Sequence, residues 1–157
     1  MINVITGKIN SGKTTKIINL YDELQMGDGF VSIKNMIGNK VHSYEIMQLS
    51  TRQKQLMVLR EDFLTDSWCE SCKIGPYSFS KDTLENIENT IRKFIKKNIT
   101  PIFLDEIGPL ELHNKCFHTI FRELLDNNCE LYITIRKDSL EEIIKKYDLA
   151  NKIKVLN

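Results

Sequence analysis

The chain has 157 residues and a formal net charge of +1. That length predicts one domain, residues 1–157, large enough to bury a core. The near-neutral charge argues against an obligate nucleic-acid binder, although a local basic patch stays open. No apolar run approaches a membrane span, and Lys8 and Lys13 interrupt the region where a signal peptide carries its apolar core. A soluble, cytoplasmic protein with no membrane partner is predicted.

In chain order, Ile2 to Thr6 is a β-branched run that reads as a buried strand. Gly7 to Thr15 follows, and then Ile17, Leu20, Tyr21 and Leu24 recur at helical spacing. Phe30 to Lys34 and Lys40 to Met47 read as a strand pair turning at Gly38-Asn39, with Gln55 to Arg60 as a third strand. Residues 61–76 read as irregular. Leu84, Ile87, Ile91, Phe94 and Ile95 form a helical stripe, with Asp82 and Glu85 spaced like a capping box. Pro101 can begin a strand, and Ile102-Phe103-Leu104 continue it into Asp105-Glu106. A second stripe spans Phe117 to Leu125, a strand Leu131 to Ile135, a third stripe Leu140 to Tyr147, and a last strand Lys152 to Leu156. The pattern predicts a three-layer α/β domain with a mostly parallel sheet and an antiparallel insert near the N-terminal third.

The most informative segment is Gly7-Lys8-Ile9-Asn10-Ser11-Gly12-Lys13-Thr14-Thr15, which matches G-x-x-x-x-G-K-[ST]. A strand that enters a glycine-rich turn and opens a helix is the context this phosphate-binding loop requires. Backbone N–H groups and the positive helix end converge on one volume that suits polyphosphate. Lys13 can reach the β- and γ-phosphates, and the Thr14 hydroxyl suits Mg²⁺. Ser11 and Thr15 are further phosphate contacts, and Lys8 belongs to the loop surface.

Carboxylates emerging after a buried strand would lie at the carboxyl edge of the sheet, where open α/β folds bind ligands. Asp105 is therefore the candidate Mg²⁺ partner, and Glu106 the candidate base for the attacking water. Asp105 to Gly108 also reads D-x-x-G, a spacing that GTP switch proteins use at the γ-phosphate. The guanine-reading N-K-x-D is missing.

With both halves of the site in place, the chain resembles the small nucleoside-triphosphatases of the THEP1 type. The resemblance rests on Ile5-Thr6-Gly7 through Thr15, Gly29-Phe30, Ile74-Gly75-Pro76-Tyr77, and Leu104-Asp105-Glu106-Ile107-Gly108-Pro109-Leu110-Glu111-Leu112. It implies a P-loop NTPase fold and Mg²⁺-dependent hydrolysis of nucleoside triphosphates with loose base preference and low turnover. Lys13, Thr14, Asp105 and Glu106 would carry the roles given above. The chain departs from some members at Pro76, and again where β-structure runs into Arg136 and Lys137.

Weaker signals divide between chemistry and packing. Cys69-Glu70-Ser71-Cys72 could be half a metal site or a dithiol, but no second C-x-x-C exists, and a structural reading prevails. His113, Cys116 and His118 do not share one helical face. Trp68, Tyr77 and Phe79 either pack on the core or stack on a base, with core packing favoured. Arg136 could face the phosphates or the solvent. Two rivals to a hydrolase are a small-molecule or nucleotide kinase and a nucleotide-dependent binding module. Such kinases bring several arginines onto the phosphates, whereas Arg52, Arg60, Arg92, Arg122 and Arg136 form no cluster in the sequence.

Overall fold

The computed structural model describes residues 1–156. Strand β1 (Ile2–Gly7) delivers the chain to the phosphate loop, and helix α1 (Lys13–Leu24) leaves it. Ile2, Val4 and Ile5 of β1 are all buried, as expected of a strand covered on both faces. Next come β2 (Asp28–Ile37), β3 (Lys40–Gln48), β4 (Lys54–Arg60), β5 (Glu70–Ile74) and β6 (Tyr77–Ser80). The second half holds α2 (Lys81–Lys96), β7 (Ile102–Ile107), α3 (Pro109–Leu112), α4 (His118–Asp126), β8 (Leu131–Arg136), α5 (Leu140–Lys146) and β9 (Ile153–Leu156).

Among the described residues all strands join one nine-stranded sheet in the order β5-β6-β4-β3-β2-β7-β8-β1-β9. From β2 through β7, β8 and β1 to β9 the pairing is parallel. From β2 outward to β5 it is antiparallel. The expected parallel core and antiparallel insert are both present. Helix α1 covers one face by setting Ile17 against Ile5, Val31 and Phe103. On the other face Ile87 and Ile91 of α2, and Ile120, Phe121 and Leu124 of α4, pack on Val4, Leu104 and Ile133. The result is three layers with the sheet in the middle.

Two local expectations are corrected. Residues 61–76 are not wholly irregular: 61–63 form one 3-10 turn, and β5 pairs antiparallel with β6. Only Cys72 of β5 is buried, so the strand carries almost no apolar alternation in the sequence. Its partner β6 and the turn at Gly75, with φ 53°, create it. Helix α2 does not begin with an Asp82–Glu85 capping box. Its N-cap is Ser80, whose Oγ accepts the Thr83 N–H at 3.2 Å. Asp82 instead lies in the first turn, where a negative charge complements the helix dipole.

One glycine is required by close approach. Gly29 of β2 pairs with Phe103 of β7, and a Cβ at Gly29 would lie 2.0 Å from the Phe103 carbonyl oxygen. Only a residue without a side chain lets these two strands meet, and their meeting carries β2 to the edge of the site.

Candidate functional site

The phosphate loop keeps the geometry its sequence demands. Gly12, with φ 82°, sits in the left-handed region at the N-cap of α1. Gly7 ends β1, and Lys8, Ile9, Asn10, Ser11, Gly12 and Thr15 are exposed. Lys13 and Thr14 are half-buried at the start of α1. The Lys13 ammonium bends back across the loop and donates to the Lys8 carbonyl at 2.7 Å and the Gly7 carbonyl at 3.4 Å. Those bonds hold a cation over the mouth of the loop.

The acidic pair arrives from β7. Leu104 pairs with Ile133 of β8 and Ile107 with Ile135, so Asp105 and Glu106 together face Thr134 alone. This is a β-bulge, and it turns two consecutive carboxylates toward one region. Glu106 carries the cost as a positive φ of 65°. Thr134 holds the bulge by accepting the Glu106 N–H at 2.7 Å and donating its hydroxyl to Asp105 Oδ1.

Asp105 is 1% exposed and accepts three hydrogen bonds. Besides Thr134, the Ser32 N–H donates to Oδ2 at 3.1 Å, and the Thr14 hydroxyl donates to the same oxygen at 2.7 Å. The last bond joins the two sequence-predicted halves of the site directly. Glu106 stands at the solvent-facing mouth, beside walls that desolvate it. Desolvation raises its pKa above the ordinary value, and the Asp105 charge raises it further. Arg136, Lys13 and Lys34 oppose the rise. A carboxylate pushed upward in this way is a better proton acceptor than a free one.

Two contributors, Lys34 and Glu111, were not legible locally, and a third, Arg136, had two open readings. Lys34 of β2 donates to Asn10 Oδ1 of the phosphate loop at 2.7 Å, adding a second cation across the site from Lys13. It sits mid-strand, with no spacing that links it to the loop. Arg136 ends β8 level with Gly7 and lines the same pocket as Glu106, which settles its side of the sheet. Glu111, on the four-residue helix α3, is 2% exposed. It accepts the Gly108 N–H at 2.8 Å and the Phe117 N–H at 3.1 Å, and burial lifts its pKa to about 7. The Gly108 N–H is thereby committed to Glu111, which speaks against a switch-type D-x-x-G contact to phosphate.

The remaining signals separate. Cys69 is exposed and Cys72 buried, and among the described residues no group of three or more His, Cys, Asp or Glu could hold a metal ion. His113 is exposed, Cys116 is buried, and His118 pairs its ring with the Tyr147 hydroxyl at 2.7 Å. Trp68 donates its indole N–H to Ser78 Oγ at 2.9 Å, while Tyr77 and Phe79 pack on the core and line the pocket beyond Glu106. No helix among the described residues is long and apolar enough to cross a membrane.

The family model described as NTPase matches residues 3–157. The chain belongs to this NTPase family. Its activity class is accordingly that of a nucleoside-triphosphatase. Among similar proteins, the nucleoside-triphosphatase THEP1 of Methanothermobacter thermautotrophicus is 26% identical over 93% of this chain and 82% of its own length. That of Thermotoga maritima is 28% identical over 94% and 82%. The crystal structure of THEP1 from Aquifex aeolicus superposes with a TM-score of 0.71 at 22% identity, covering 100% of this chain and 89% of that one. The solution structure of a human cancer-related nucleoside triphosphatase gives 0.66 at 21% identity, covering 98% and 86%. At that identity the two structures establish a shared fold for this NTPase.

Proposed function

We propose that this single-domain NTPase hydrolyses nucleoside triphosphates to diphosphate and phosphate, with Mg²⁺ and little base preference, in the cytoplasm. The observation that carries the reading is the 2.7 Å bond from Thr14 to Asp105, because it unites a phosphate loop with an acidic strand. Gly7, Lys8, Ile9, Asn10, Ser11, Gly12, Lys13, Thr14 and Thr15 form the phosphate cradle in this reading. Lys13 offsets charge that builds between the β- and γ-phosphates, and Lys34 adds to the positive field. Glu106 takes a proton from the attacking water.

The residues suit Mg²⁺. The Thr14 hydroxyl and the Asp105 carboxylate are hard oxygen donors, and Mg²⁺ binds through one or two such groups together with substrate phosphates and waters. When bound it would neutralise charge on the substrate's phosphates.

The curated relatives named above as nucleoside-triphosphatases support the reaction class. The near-neutral net charge supports a nucleotide rather than a nucleic acid as the partner. A panel of ATP, GTP, CTP and UTP, each with and without Mg²⁺ and read as free phosphate, tests the proposal. Metal-independent release, or none with any nucleotide, would refute it.

A further inference from the structure

Beyond Glu106 the protein keeps an open-mouthed pocket of roughly 110 Å³ that extends past the groups hydrolysis uses. None of residues 7–15 lines it. Ser32, Asp105, Glu106 and Arg136 line it at the catalytic end, and Glu111 adds a further carboxyl from α3. Its far walls are apolar and come mainly from the antiparallel insert, with Tyr44, Met57, Tyr77 and Phe79 facing Leu110 and Phe117. Tyr44 and Tyr77 meet edge to face at 5.9 Å, leaving a shaped aromatic wall. Apolar walls with a few polar groups at one end are the usual form of a small-molecule site, and an apolar cavity of about 150 Å³ is enough to hold a single ring.

We propose that this pocket holds an uncharged, ring-bearing alcohol, and that the enzyme passes the γ-phosphoryl group to its hydroxyl. The proposal rests on the nucleoside-triphosphatase reading, since it uses the same phosphoryl group and the same base. Charge selects the acceptor class. Arg136 is the single cationic side chain in the lining, against the carboxyls of Asp105, Glu106 and Glu111. Arg60 is near, but its guanidinium lies 6.0 Å from the Tyr77 ring and does not line the cavity. A phosphate- or carboxylate-bearing acceptor would meet net repulsion there, while a neutral ring gains contact with the aromatic and aliphatic walls.

The step balances without a further reagent. Glu106 accepts the hydroxyl proton, and the acceptor oxygen bonds to the γ-phosphorus. The bond from that phosphorus to the β–γ bridging oxygen breaks, and its electron pair leaves with the nucleoside diphosphate. Glu106 then releases the proton to solvent. Water and the alcohol compete for one base, so the two activities share a site.

The test supplies the whole protein with γ-labelled ATP and Mg²⁺, and with adenosine, thymidine or pyridoxine in turn, using glycerol as a ringless control. Phosphomonoester is separated from free phosphate. The expected result is that at least one ring alcohol captures label about tenfold better than glycerol. Ile74→Trp, at a 37%-exposed position on the pocket rim, should fold normally and lower the ester-to-phosphate ratio about tenfold by filling the mouth. Label found only in free phosphate with all three alcohols, or a ratio untouched by Ile74→Trp, would overturn the acceptor site while leaving the hydrolase intact. No consumption of ATP under any condition would overturn both.

Discussion

Thr14 and Asp105 lie 91 positions apart in the chain, yet the threonine hydroxyl donates to the aspartate at 2.7 Å. This single bond closes the site. It fixes the first turn of α1 against the bulge of β7, so the phosphate loop and the acidic pair form one rigid unit. Each half has a distinct chemical duty, and each can be tested separately.

Lys13→Ala removes the cation that spans the loop through the Gly7 and Lys8 carbonyls. The side chain is half-buried and takes no part in the hydrophobic core. Phosphate release should fall by about 100-fold or more, with the circular dichroism spectrum and melting temperature retained. Wild-type turnover in the folded variant would remove Lys13 from the catalytic site.

The acidic pair should divide in its effects. Asp105→Asn replaces an acceptor that receives three hydrogen bonds, so nucleotide binding, the Mg²⁺ requirement and stability should suffer together. Glu106→Gln should retain nucleotide affinity and lose kcat. The raised pKa of Glu106 gives this a pH signature. The base works only when ionised, so kcat/KM should climb with pH along an acid limb displaced above that of an ordinary glutamate. The limb should vanish in Glu106→Gln. A limb unchanged in that variant would assign the base elsewhere.

Glu111 should make stability fall as pH rises. Its folded pKa, about 7, exceeds the ordinary value of 4.5, so the folded state holds the proton more tightly than the unfolded chain. The contribution is complete below the ordinary value and is lost as pH passes through the folded one. Urea unfolding at about pH 5 and about pH 8 should show wild type losing on the order of 3 kcal/mol more than Glu111→Gln, which cannot ionise. Parallel losses in the two proteins would refute the assignment.

Gly29→Ala should be costly although the change is one methyl. Its Cβ would fall 2.0 Å from the Phe103 carbonyl oxygen, which is backbone and cannot rotate away. Strands β2 and β7 must part, at about 3 kcal/mol. Because β2 carries Ser32 and Lys34 to the site, activity should drop as well. A melting temperature equal to wild type would show that the pair tolerates spreading.

Base preference should be weak. The chain has no N-K-x-D, and the Gly108 N–H is held by Glu111. Affinity comes chiefly from phosphate contacts that every nucleoside triphosphate shares. Values of kcat/KM for ATP, GTP, CTP and UTP should lie within about two orders of magnitude. A preference of several thousand-fold would reveal a dedicated base pocket.

Much of this was readable along the chain because its causes are local. The phosphate loop announces itself through Gly12 and Lys13, since a left-handed turn opening a helix leaves few alternatives at those positions. Strands β1 and β8 and the stripes of α2 and α4 follow from hydrophobic period alone. Strand β5 escaped because its one inward residue, Cys72, makes no pattern, and the cap of α2 escaped because Ser80 competes with Asp82 over two positions.

What the amino-acid order determined by itself was therefore the nature of each part: a loop for phosphate, a strand ending in two carboxylates, helices to cover them. The tertiary structure decided which parts meet. Pairing β7 with β8 out of step made the bulge that turns Asp105 and Glu106 together, and pairing β2 with β7 set Ser32 and Lys34 beside them. Folding the insert across the same edge shaped the apolar pocket beyond Glu106. Periodicity and turn chemistry act within a few residues of the chain, whereas strand register and the burial of Glu111 arise only when distant segments exclude water from one another.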